Sequence, residues 1–117
     1  MSDTFVCNKE DIQKIQDSMQ LNDDLLLAAA FFKALSDPTR LSIVNALQVH
    51  GWLCVTDLSD VLNMSKSAVS HQLCHLRMCK LVRVKRMGQR VYYALSDGHV
   101  EQVFAMAVSH IKEDESE

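Results

Sequence analysis

One stretch of this chain alternates apolar and polar residues, and nearly everything else repeats at helical spacing. The alternating stretch covers residues 81–86 and 90–95, is rich in Val and Tyr, and turns around Met87, Gly88 and Gln89, so it reads as a single β-hairpin. On both sides of it apolar side chains recur every three or four residues. Only three Gly and one Pro interrupt the 117 residues. A mainly α fold of about five or six helices plus one hairpin is therefore expected, as one domain spanning 1–117.

The helices can be placed from their stripes and caps. An N-terminal arm, 1–20, contains a short amphipathic helix over about 9–20. Asn22 is expected to cap a second helix running to about Leu35, apolar nearly all round over residues 25–32. In so small a chain a helix of that kind needs cover, which suggests a subunit interface and hence a homodimer. Asp37 and Pro38 suit a helix start, and Leu41, Ile43, Val44 and Leu47 supply that helix with a buried face. His50 before Gly51 reads as its last residue. Residues 53–62 predict a short helix with Leu58, Val61 and Leu62 inward; Asn63 and Met64 make a turn; Ser65 caps the next helix, 66 to about 80. There Val69, Leu73 and Leu76 form the inner stripe, while Lys66, Ser67, Ser70, His71 and Cys74 face out. Two short helices joined by a tight turn, over 55–80, with Ser and His on the outer face, read as a helix-turn-helix. The hairpin after it, 82–95, reads as a wing.

Charge supports that reading. The net charge of -3 argues against a polyanion partner until the chain is divided. Residues 61–96 contain no Asp or Glu but seven basic residues: Lys66, Arg77, Lys80, Arg83, Lys85, Arg86 and Arg90. The remainder holds five basic and fifteen acidic ones. Double-stranded DNA is the expected partner, with Lys66, Ser67, Ser70, His71, Arg77, Lys85, Arg86 and Arg90 as contacts.

A last helix, 98–113, carries Val100, Val103, Phe104, Ala107 and Ile111 as a stripe, with the tail 114–117 expected to fray. Asp97 and His99 stand at its start, His110 and Glu113 near its end. Eleven residues bring the two histidines to the same face but about 16 Å apart, too far for one ion. Antiparallel packing of two such helices would join Asp97 and His99 of one chain to His110 and Glu113 of the other, an N2O2 set suited to Zn2+, with Co2+ tolerated. Four protein ligands close the shell, which fits a structural or regulatory ion rather than hydrolysis. Solvent-facing histidines with ordinary terminal charges, Asp97 as an N-cap, are the plain alternative.

A second set, Cys7 and Asp11 with Cys54 and Asp57, offers S2O2 coordination to Zn2+ or, through its soft sulfurs, to Cd2+ or Pb2+; burial of Cys54 as a small apolar side chain is its alternative. Cys74 and Cys79, five apart, read as unpaired thiols. His71 and His75 lie at i, i+4, with a base or phosphate contact favoured for His71. No apolar run approaches the roughly 20 residues of a membrane span. The opening residues, Met1 to Thr4, hold no signal region, so the cytoplasm is expected. No Ser-His-Asp order, H-E-x-x-H helix or glycine-rich phosphate loop suggests an enzyme, and no small organic substrate is implied.

These motifs resemble the ArsR/SmtB family of metal-sensing repressors. Ala34-Leu35-Ser36-Asp37-Pro38-Thr39-Arg40-Leu41 is similar to the family's entry to its third helix, Leu53-Cys54-Val55-Thr56-Asp57-Leu58 to its first helix-turn-helix element, Ser67-Ala68-Val69-Ser70-His71-Gln72-Leu73 to its recognition helix, and Gly88-Gln89-Arg90-Val91-Tyr92-Tyr93 to its wing. Asp97, His99, His110 and Glu113 match the family's interfacial pattern, Asp-x-His-x10-His-x2-Glu, at every position. Cys7, Asp11, Cys54 and Asp57 resemble its other site, although Thr56 stands where soft-metal members tend to carry a further Cys. The resemblance implies a winged-helix homodimer. It implies binding to an inverted-repeat operator without metal and release by Zn2+, Cd2+ or Co2+, in control of metal efflux or sequestration genes. The rival expectation is a winged-helix regulator that answers to thiol oxidation, or to a soft metal, through Cys7 and Cys54.

Overall fold

The computed structural model describes residues 6–115, with side chains through 113; the expectations for Met1 to Thr4 and for the last two tail residues lie outside that range. Six helices and three short strands follow one another: α1 Lys9–Ser18, α2 Asn22–Leu35, α3 Pro38–His50, β1 Leu53–Cys54, α4 Val55–Leu62, α5 Lys66–Met78, β2 Val82–Met87, β3 Arg90–Leu95 and α6 Gly98–Glu115.

Local chemistry sets most of these boundaries. The Asp37 carboxylate accepts the Arg40 N–H at 2.9 Å and Pro38 opens α3. Gly51, at φ 98°, ends it. Asn63 closes α4 in the left-handed region, where its short amide side chain is tolerated. Ser65 Oγ accepts the Ala68 N–H at 3.1 Å to start α5. The wing pairs Val82 with Leu95 through Met87 with Arg90, leaving Gly88 and Gln89 as a two-residue turn. Gly88 has φ 65°, which glycine adopts without strain.

Several expectations need correction. Asn22 is the first helical residue of α2 rather than its cap, and Leu21 occupies the cap position without a side-chain bond. Leu53 and Cys54 are extended, not helical, because they pair with Tyr93 and Tyr92 and add a third strand to the sheet, in the order β1-β3-β2. Val61 faces solvent rather than the core, and Leu58 is the one buried residue of α4. Leu41 is also exposed, and lines a groove with Phe32, Val103, Ala107 and Ile111. The last helix runs on through Glu115, so the beginning of the expected tail is helical.

The core lies between α3, α4, α5, the sheet and the first turn of α6: Ile43, Val44, Leu47, Leu58, Val69, Leu73, Leu76, Leu81 and Val100 are almost wholly buried. By contrast α1 buries nothing, and Leu25, Leu26, Leu27 and Phe32 of α2 and Met106 and Ile111 of α6 are exposed. The radius of gyration is 19.3 Å, against about 13 Å for a compact domain of this length. A compact core with α1, α2 and most of α6 left uncovered is the shape of half of something.

Candidate DNA-reading face and metal ligands

The inner stripe of α5, Val69, Leu73 and Leu76, is fixed in the core, so its other face must point outward. Lys66, Ser67, Ser70, His71 and Cys74 are all exposed there, as is Arg77 one turn on. Ser65 Oγ lies 3.3 Å from Ser67 Oγ at the helix start. Arg40 locks the helix in place from behind: its Nε donates to the Ala34 carbonyl at 2.8 Å and its Nη1 to Gln72 Oε1 at 3.3 Å, joining the end of α2 to α5 across α3.

The wing presents Lys85, Arg86 and Arg90 on its exposed strands. Arg86 Nε donates to the Gly88 carbonyl at 3.3 Å. Lys85 and Arg83 both lie over the Trp52 ring, at 5.9 and 4.9 Å from its centroid. Sequence reasoning missed Trp52 and Arg40. A lone Trp beside Gly51, just after a helix end, was the available signal for the first; the second depends on contacts six and 32 residues away, which no local pattern reveals.

At the start of α6 Asp97 serves as the helix cap. One carboxylate oxygen, Oδ1, accepts the N–H groups of His99 at 2.9 Å and Val100 at 3.3 Å, and stands 3.5 Å from His99 Nδ1. Burial pushes this carboxyl up, but the N–H groups of Val100 and His99 and the His99 ring outweigh it and hold it below the ordinary Asp value. Two other helix starts use a carboxylate in the converse sense, from the third helical residue back to the N–H of the cap residue. Asp11 Oδ2 accepts the Asn8 N–H at 3.1 Å, and Asp57 Oδ2 accepts the Cys54 N–H at 3.2 Å. Bonding from Cys54, through thiol and N–H, lowers the Asp57 carboxyl, opposed by slight desolvation and helped by Arg90 and His50. Each of the three carboxylates uses one oxygen in these bonds, leaving the second as a ligand for a cation.

The chain by itself assembles neither expected metal set. Among the described residues no three His, Cys, Asp or Glu side chains converge. Asp97 and His99 form a ready pair on the surface, with the His99 side chain 88% exposed, while His110 and Glu113 sit exposed three turns further along α6. Cys7 is exposed just ahead of α1 and Cys54 is buried in β1 beside β3, so the second set is divided between an outlying helix and the core edge. All four thiols, Cys7, Cys54, Cys74 and Cys79, are free.

Three comparisons bear on this arrangement. Residues 37–84 match the family model described as bacterial regulatory protein, arsR family. A transcriptional repressor SmtB homolog from Synechocystis sp. is 38% identical over 113 residues, covering 97% of this chain and 85% of that protein. A cadmium resistance transcriptional regulatory protein CadC homolog from Staphylococcus aureus is 39% identical over 85 residues, 73% of this chain and 70% of the relative. Among solved structures, the homodimeric winged helix-turn-helix DNA-binding domain of Mb0332 from Mycobacterium bovis superposes with a TM-score of 0.74 at 27% identity, covering 82% of this chain and 91% of that one.

Proposed function

The chain belongs to the arsR family of bacterial regulatory proteins, and from that premise we propose that it is a homodimeric repressor whose hold on operator DNA is released by Zn2+ bound between its two α6 helices. The observation that carries the metal part is the placement of two half-sites on one exposed helix. Asp97 and His99 lie three turns from His110 and Glu113, on the same face, and a distance of about 16 Å keeps one chain from closing either site alone. A second chain running antiparallel would complete both. The uncovered apolar surface of α2 and α6 supports the same pairing, since a dimer would bury it.

In this account α5 of each subunit enters a major groove, with Ser67, Ser70 and His71 at base edges or phosphates and Lys66 and Arg77 on the backbone. The wing residues Lys85, Arg86 and Arg90 hold flanking phosphates, so affinity should fall steeply with salt. Asp97, His99, His110 and Glu113 would hold the ion; two imidazoles and two carboxylates suit tetrahedral Zn2+, and Cd2+ or Co2+ are the alternatives. Bound there, the ion supplies a cross-link between subunits. His110 is the proposed relay, its second ring nitrogen tying the ligand to the protein around it. Coupling between metal and DNA is typically about 1 to 3 kcal/mol, some 5- to 150-fold in affinity, and must be the same in both directions. Cys7, Asp11, Cys54 and Asp57 are proposed as a secondary site that again needs a partner chain, because one chain leaves them apart.

The test uses a duplex selected by the protein from a random pool, with fluorescence anisotropy at fixed salt. Zn2+, buffered at a free concentration that fills only a four-ligand site, should weaken binding of wild type by at least fivefold relative to chelator and leave His99→Ala unaffected. Equal release of both proteins would move regulation away from α6.

A further inference from the structure

The outer face of α5 carries a feature that DNA contact does not use up. His71 and His75 lie one turn apart, both exposed, with ring centroids 4.8 Å apart and ring planes at 82°. Two imidazoles at i, i+4 on one helix face form a bidentate pair for a divalent ion, the arrangement by which zinc-dependent helices hold their metal. Both side chains are held on a helix whose inner stripe is fully buried, so the pair is pre-organised by the core and not by a loop. No carboxylate lies nearby in sequence, since residues 61–96 have none. Imidazole ligands, with the Cys74 thiol on the same helix, Cys79 at its C-cap and no carboxylate, select the late first-row divalent ions, Ni2+, Cu2+ and Zn2+, over Mg2+, Ca2+ and Mn2+.

We propose that His71 and His75 form a two-histidine site for a late first-row divalent ion on the recognition helix, and that this ion and operator DNA exclude one another. The site is independent of the α6 set: it is built within one chain, and its remaining coordination positions belong to water. Occupancy ties up the His71 ring and adds a hydrated ion beside Ser67 and Ser70, where a base edge would have to approach within hydrogen-bond distance. Excess metal would then loosen DNA by direct competition, without any change in dimer geometry. The exclusion, though not the ion site itself, rests on α5 being the DNA-reading helix.

The experiment uses untagged protein carrying His99→Ala and Cys7→Ser, so that the α6 set and the Cys7 set are both disabled, and Ni2+ alone as the probe, because it does not oxidise the exposed thiols. Calorimetric titration should give one Ni2+ per chain, and paramagnetic broadening of histidine ring NMR signals should single out His71 and His75. His75→Gln and His71→Gln, each added separately, should abolish that binding; either exposed substitution alone suffices if the other impairs folding. Saturating selected duplex should raise the apparent Ni2+ Kd at least tenfold. Undiminished Ni2+ stoichiometry in both variants overturns the site. Duplex that binds the doubly substituted protein but leaves its Ni2+ affinity unchanged overturns the exclusion, whereas a failure of duplex to bind at all would count against the DNA-reading role of α5.

Discussion

Ser65 separates two roles that the start of α5 is expected to combine: capping a helix and meeting DNA. Its hydroxyl accepts the Ala68 N–H at 3.1 Å, one of the donors that a helix start leaves without an internal partner. Ser65→Ala should cost about 1 kcal/mol of stability, the usual value for a lost cap. Ser65→Asp keeps an acceptor of equal quality and adds about 0.3–1 kcal/mol from its charge at the positive end of the helix, so its stability should equal or exceed that of wild type. DNA responds in the opposite sense. A carboxylate at the mouth of the recognition helix, a few ångströms from a phosphate, is disfavoured by about 1 kcal/mol in a near-aqueous dielectric. Two such contacts per dimer give about 2 kcal/mol, roughly a 30-fold weaker complex. Urea denaturation and anisotropy across a salt series read the two effects separately. If Ser65→Asp is as unstable as Ser65→Ala, the cap argument is wrong; if it binds duplex like wild type, α5 does not approach DNA at its N-terminus.

Arg40→Ala removes two hydrogen bonds from a half-buried guanidinium to Ala34 and Gln72, and should lower stability by about 2 kcal/mol in urea unfolding, with Arg40→Lys rescuing little because the fork is lost. Leu73→Ala, at a side chain 1% exposed, should cost about 2–5 kcal/mol and lower the denaturation midpoint. The depressed carboxyls of Asp57 and Asp97 stabilise the fold above the ordinary Asp value of 3.8, and that contribution is lost as pH falls through their lowered native values. Acid unfolding followed by circular dichroism should therefore be shallower in Asp57→Asn. Asp97→Asn keeps the cap and loses the charge, so helix content should hold while Zn2+ affinity drops at least tenfold.

Much of this was legible in the sequence because caps and stripes are local. Asp37, Ser65 and Gly51 mark helix ends by their own chemistry, and Val69, Leu73 and Leu76 announce the buried side of α5 by spacing alone. What was illegible depended on distant partners. Leu53 and Cys54 are apolar and lead into a helix, and only Tyr92 and Tyr93, almost forty residues later, draw them into the sheet. The exposure of Leu41 and Val61 likewise depends on which elements pack over them, and spacing alone does not tell that. For the candidate metal set the exposure of His99, His110 and Glu113 on α6 is what the fold adds; the spacing of the proposed ligands already gave their phase and their three-turn separation.

Mixing two disabled chains tests that last point most directly. His99→Ala and His110→Ala proteins should each fail to bind Zn2+ tightly as separate dimers. When they are unfolded together and refolded, every mixed dimer should regain one intact site, made of Asp97 and His99 from one subunit and His110 and Glu113 from the other. Calorimetry should recover one tightly bound Zn2+ per mixed dimer. A mixture that binds no better than its parents would contradict a site shared between subunits, and with it the proposed basis of regulation.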